Sequence, residues 1–168
     1  MSQNQLEFVV DPVEPITTTR RVVNAPRALV WDCFTKPEHL RRWKGPKDVE
    51  MVVCECDVRP GGTWRALYRR PNGDEFGFHG EFREVVAPER FVRTFVMAAN
   101  EAVETLMLTE AGPDKTLITT KIVYKTKAIR DGFVQRGMGA ATTDPYVRLD
   151  ELIASLATRS GTAAQTTT

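Results

Sequence analysis

Alternation of apolar and polar residues with a period of two runs along most of the chain from residue 49 to 125, and a helical period replaces it afterwards. The alternation predicts strands over Val49–Val58, Thr63–Arg70, Glu75–Val86, Arg90–Met97, Ala102–Glu110 and Thr116–Lys125, with an earlier strand over Ile16–Asn24. Turn residues separate them. Arg59-Pro60-Gly61-Gly62, Pro71-Asn72-Gly73-Asp74, Ala87-Pro88-Glu89 and Ala111-Gly112-Pro113-Asp114 each supply a proline, a glycine or both. Sequential strands at hairpin spacing predict an antiparallel meander.

Between the first strand and the meander, Asn24-Ala25-Pro26 opens a helix with Leu29, Val30, Trp31 and Phe34 on its apolar face through about Thr35. Lys36-Pro37 ends it and starts a second helix over Pro37–Trp43. Both are too short to stand alone and must pack on something. After Thr126, one stripe holds Val134, Met138, Ala141, Thr142, Tyr146, Leu149, Leu152, Ile153 and Leu156, predicting one long amphipathic helix against one face of a bent sheet. The whole is an α+β arrangement. Pro145 costs about 3 kcal/mol inside a helix unless the helix restarts there with Asp144 as its N-cap, so a kink or break is expected over 141–145. Residues 1–14, with Pro12 and Pro15, and the small polar residues 159–168 read as disordered tails around a single domain at 15–158.

The composition narrows the classes. At 168 residues one domain is expected, able to bury about two thirds of its unfolded surface. A net charge of +1 with 27% charged residues makes no electrostatic case for nucleic acid or an anionic membrane. No stretch is apolar enough for a membrane span and the N-terminus lacks the form of a secretory signal, which points to a cytoplasmic protein. Three cysteines (Cys33, Cys54 and Cys56) without regular spacing fit a reducing compartment.

Several segments carry a family resemblance. Asn24-Ala25-Pro26-Arg27 with Val30-Trp31, Pro37-Glu38-His39-Leu40 with Trp43, Asp57-Val58-Arg59-Pro60-Gly61-Gly62-Thr63-Trp64, and Gly80-Glu81-Phe82-Arg83-Glu84-Val85 with Pro88-Glu89-Arg90 occur in family order. With Gly137-Met138 and Arg148-Leu149-Asp150-Glu151-Leu152, they resemble the SRPBCC (START-like) branch homologous to the C-terminal domain of the heat-shock-protein-90 ATPase activator, over about residues 17–157. The resemblance implies a helix-grip, Bet v 1-like fold: six or seven curved antiparallel strands wrapped around the C-terminal helix, with two small helices closing one end. It implies a cavity for a lipid-, polyketide- or hormone-like molecule. It also implies two alternatives, a cyclase, dehydratase or hydrolase, and a stress-related co-chaperone that activates a heat-shock-protein-90 ATPase. The chain length leaves no room for the separate N-terminal domain of the eukaryotic activators.

Candidate chemistry is sparse. Trp43, Trp64, Tyr68, Phe78, Phe82, Phe95, Leu106, Thr120, Met138, Thr142 and Tyr146 are the expected ligand-binding residues, an apolar wall broken by a few hydroxyls. Phe91, Arg93 and Met97 share a face with Phe95, and Ile118, Ile122 and Tyr124 share one with Thr120. His39 reads as a solvated helix residue. His79 faces water if the phenylalanines beside it face the helix, or enters the cavity if a bulge near the glycines shifts the register. Glu84 reads as an inward carboxylate, or a structural salt bridge, with Arg59 or Arg65 as partner. For an enzyme, His79, Glu84, Arg93 or Tyr146 would carry the chemistry. Cys54 and Cys56 lack further ligands for a metal, and no nucleophile triad or phosphate loop is present. No cofactor or metal is expected. The expected partners are a small hydrophobic ligand and a chaperone, with the protein itself a monomer or weak homodimer.

Overall fold

A computed structural model describes residues 5–45, 48–135 and 144–166, with side chains of the last segment from Pro145 to Ala157. The elements in chain order are β1 (Glu7–Val10), β2 (Ile16–Val23), α1 (Arg27–Thr35), α2 (Pro37–Trp43), β3 (Glu50–Cys56), β4 (Thr63–Arg69), β5 (Glu75–Val86), β6 (Arg90–Met97), β7 (Asn100–Gly112), β8 (Lys115–Val123), α3 (Lys127–Gln135) and α4 (Asp144–Thr166). The eight strands form one antiparallel sheet in the order β1-β2-β8-β7-β6-β5-β4-β3. This is the α+β class expected, with the meander β3 to β8 and the N-terminal hairpin joined to its last strand.

All seven expected strands form close to their expected ends. The eighth corrects the expectation of a disordered tail over 1–14. Glu7–Val10 pairs with Thr17–Arg20. Pro12 and Pro15 fall in the connecting turn, where Asp11 Oδ1 accepts the N–H groups of Val13 and Glu14 at 2.8 Å each. Arg130 of α3 holds that turn, donating from Nη1 to Asp11 O at 2.6 Å and to Glu14 O at 2.5 Å. A second correction concerns the C-terminus: α4 continues to Thr166, through most of the segment expected to be disordered. Beyond Pro145 no proline interrupts it.

The expected break spans 141–145, of which 141–143 lie outside the described residues. From Asp144 onward the chain is helical, with Pro145 in the first described turn. Pro26 sits at the N-cap of α1 rather than inside it, and Pro37 opens α2 as expected. In α3 the buried residues are Arg130 and Phe133, not the expected Val134, which is half-buried.

The core lies on the inner face of the sheet. Val23, Val30, Trp43, Phe82, Phe91, Leu106, Ile118, Leu149 and Leu152 are almost fully buried in one cluster. Ala102, Ile122, Tyr124 and Phe133 form a second, and Phe95 touches both. Arg21 of β2 ties α4 to the sheet through Asp150, with bonds of 2.9 and 2.6 Å. Arg148 ties α4 to the end of α2 through the carbonyls of Trp43 and Gly45.

One glycine is required by a close approach. The Trp64 indole crosses its register partner Gly80 and donates from Nε1 to Thr94 O at 2.9 Å. A Cβ at position 80 would lie 1.9 Å from Thr94 O and 2.7 Å from Trp64 Nε1. Gly80→Ala therefore forces β5 and β6 apart, with an expected loss of about 2–4 kcal/mol, or roughly 10 °C in Tm. A thermal melt within about 2 °C of the parent would show that the strands give way without cost.

Candidate functional site

The inner face is filled at one end and half-open at the other. Trp64, Ala66 and Tyr68 of β4 are buried on it in strict alternation. Phe76 and Phe78 of β5 and Phe95 and Met97 of β6 share this face but are only half-buried. Their rings form a chain: Phe76 stacks on Tyr68 at 5.2 Å, Phe78 on Phe95 at 4.7 Å, and Phe95 lies 5.8 Å from Trp64. Phe95 also faces Phe133 of α3 at 6.3 Å. Such offset and edge contacts are the preferred geometries for aromatic rings.

The expected ligand-binding residues divide accordingly. Trp43, Phe82 and Leu106 are 1%, 0% and 1% exposed and belong to the packed core. The Trp43 indole is held there by donation to Cys33 O at 2.8 Å. Trp64, Tyr68 and Tyr146 are buried next to them, and Phe78, Phe95 and Thr120 are half-buried. Met138 and Thr142 lie outside the described residues.

A buried ion pair stands among these rings. Arg93 of β6 faces Glu104 of β7 directly in register, with Nε 2.5 Å from Oε1 and both side chains less than a tenth exposed. The guanidinium carbon lies 3.8 Å from the Trp64 ring centroid and 4.8 Å from that of Phe91, a cation–π arrangement. Burial pushes the Glu104 carboxyl up, but the charges of Arg93 and Lys44 and the Arg93 hydrogen bond outweigh it and hold it below its ordinary value. Lys44, just after α2, turns its ammonium over the rings of Trp43 at 5.0 Å and Phe34 at 5.6 Å. Burial lowers its pKa, with Glu104 opposing and Arg93 adding to the effect. Burial also raises the phenols of Tyr68 and Tyr146, the latter to about 12, so both are neutral hydroxyls at physiological pH.

Glu104 was missed in the sequence, although alternation with Ala102, Leu106 and Leu108 places it on the apolar face. The inward carboxylate expected at Glu84 is corrected. A bulge between Phe82 and Glu84 re-aims the strand, and Glu84 pairs with Arg90, not Arg59 or Arg65, where both are about 42% exposed. His79 is exposed opposite Arg65 on the outer face, so no shift carries it inward. His39 is half-buried in α2 rather than fully solvated.

Residues 24–154 match the model of the activator of Hsp90 ATPase homolog 1-like proteins. The chain belongs to that family. Among solved structures, the chain resembles a Rhodobacter sphaeroides protein at 24% identity and a TM-score of 0.80, covering 89% of this chain and 99% of that one. A Nitrosomonas europaea protein matches at 26% identity and 0.74, over 89% and 99%. A Mycobacterium smegmatis protein matches at 19% and 0.78, over 89% and 97%. No curated protein matches the chain.

Around its half-open end, the chain carries a groove of about 520 Å³ between α2, the β4–β5 turn and α4. Arg41, Arg42, Lys44, Arg69, Arg70 and Arg148 line it against Asp48 and Glu50, and no expected wall residue among those described does. Buried Cys33 and half-buried Cys56 have thiols pushed up to about 11 by desolvation, and that of Cys54 is also raised. All three are therefore protonated and poor nucleophiles. Among the described residues no group of three or more His, Cys, Asp or Glu side chains is placed to hold a metal, and no helix is long and apolar enough to cross a membrane.

Glu104 links the core to pH. Its depressed pKa means that the pair stabilises the fold above the ordinary value of 4.5, and that this stability is lost as pH falls toward the folded-state value. Glu104→Gln is expected to cost about 3–5 kcal/mol at neutral pH by leaving Arg93 buried without its counter-ion. The gap between parent and variant in urea midpoint should narrow below about pH 4. A gap that stays constant down to about pH 3 would remove Glu104 as the titrating group.

Proposed function

We propose that the protein binds a small hydrophobic or aromatic molecule against the half-open end of the inner face. The observation that supports this most directly is the row Phe76, Phe78 and Phe95, which shares the core face yet remains half-buried. Aromatic surface left unpacked beside a close-packed core is suited to a guest, since covering about 100 Å² of it would contribute roughly 2.5 kcal/mol. Trp64, Tyr68 and Tyr146 complete the wall, with Thr120 as a polar point. Trp43, Phe82 and Leu106 support it from the packed layer behind. Family membership supports a ligand-binding or co-chaperone-like role in general terms. The exposed His79 and the surface Glu84–Arg90 pair weigh against an acid–base reaction at this face.

Family membership also favours a second reading, contact with an Hsp90-class chaperone. Mixing the purified chain with the Hsp90 homolog of its host would then raise ATP hydrolysis, and an unaltered turnover rate across a concentration series would dismiss that reading.

The ligand reading is tested with the neutral dye N-phenylnaphthylamine. Titration into the parent should give saturable, blue-shifted emission, and Phe78→Asp, which places a charge on the half-buried wall, should weaken binding by about tenfold or more. Equal affinity in parent and variant would place the dye, and the proposed pocket, elsewhere.

A further inference from the structure

The charges on the inner face do not cancel. Glu104 supplies one negative charge, while Arg93 and Lys44 supply two positive ones within its electrostatic reach. Among the described residues, Arg93 has a hydrogen-bond acceptor only at Nε, and its terminal nitrogens, stacked over Trp64, have none. Lys44 has no carboxylate within 4 Å among the described residues. Lys44 is half-buried, and neither its ammonium nor the terminal nitrogens of Arg93 are among the fully buried side-chain atoms without a partner, so two cations that share one carboxylate keep donors and a charge within reach of a guest. Burial acts on Lys44 in the corresponding sense, drawing it toward the neutral form.

Two further features favour an anionic guest over an empty site. Tyr68 adds a neutral phenol to the same space, within electrostatic reach of both Arg93 and Glu104. Lys44 also lines the outer groove with five arginines against two acids, so the field outside it is positive as well. The half-open rings Phe78 and Phe95 lie next to the Trp64–Arg93 stack. Apolar wall and the Arg93 cation are therefore within one small molecule's reach of each other, and Lys44 is near enough to act on both Arg93 and Glu104.

We infer that the ligand is an organic anion, its aromatic or aliphatic body against Phe78 and Phe95 and its acidic head between the Lys44 ammonium and the terminal N–H groups of Arg93. This rests on the ligand-binding reading above and adds the class of molecule. A carboxylate or sulfonate head would accept charge-assisted hydrogen bonds from both cations and complete the neutralisation that Glu104 begins. Neutral lipids of the same size would leave those donors unmet.

Two dyes that differ by one acidic group separate the claims. Anilinonaphthalene sulfonate and neutral N-phenylnaphthylamine are titrated into the full chain, followed by emission, with near-ultraviolet circular dichroism confirming the fold of each variant. The parent should bind the sulfonate about tenfold more tightly than the neutral dye. Lys44→Gln, or Lys44→Met as a second neutral replacement, should abolish that preference while leaving the neutral dye within about twofold. Arg42→Gln in the outer groove should change neither. Equal affinity for both dyes in the parent would overturn the anionic assignment while leaving the apolar pocket standing. A preference lost in Arg42→Gln but kept in both Lys44 variants would place the anion in the outer groove and equally overturn it. Binding of neither dye would remove the pocket together with its charge.

Discussion

An ion pair between neighbouring strands occupies the place where the apolar faces of sheet and helices would otherwise meet. Arg93 and Glu104 are both more than nine-tenths buried, and each would be costly alone. Together they are tolerable because β6 and β7 pair them directly in register and because Trp64 and Phe91 cover the guanidinium faces. The arrangement fixes what can pack around it. Trp64 must lie across Gly80 to cover Arg93 and reach Thr94 O, and this brings β4, β5 and β6 into one rigid patch. The pair therefore acts as a unit: removing one partner leaves the other charge buried and uncompensated.

Around that patch the inner face has two characters. Toward Leu149 and Leu152 it is close-packed, with Phe82, Phe91, Leu106 and Ile118 nearly inaccessible. Toward Phe76 and Phe78 it is loose, and the neighbouring surface is lined by arginines. The boundary runs through Phe95, whose ring meets the buried Trp64 on one side and the half-buried Phe78 on the other. Packing and charge thus change over the same few residues.

Most of the strand framework could be read directly from the chain, because period-two alternation survives wherever one face is buried and the other wet. The hairpin over Glu7–Val10 could not, since Pro12 and Pro15 suggest a break, and only the Asp11 turn and the Arg130 clasp explain why a strand precedes them. The far end of α4 was hidden for the opposite reason: residues 159–166 carry small and polar side chains with no apolar stripe to signal a helix. At the site, the aromatic wall was visible as alternation, but the charge within it was not. Glu84 attracts attention inside a recognisable motif, yet a one-residue bulge turns it to the surface. Glu104 sits in a plain strand and becomes visible only when the phase is carried through a charged position.

The N-terminal hairpin has a consequence for how the molecule behaves in company. Without it, β2 would present its full length of eight residues as an open border with unpaired N–H and C=O groups. With it, Thr17–Arg20 of β2 are covered by the four residues of β1, which Arg130 anchors just beyond Val10. At the opposite border, β3 is interrupted by an irregularity between Met51 and Val53. Both margins are therefore poor templates for a neighbouring molecule's strand, which disfavours polymerisation by sheet extension.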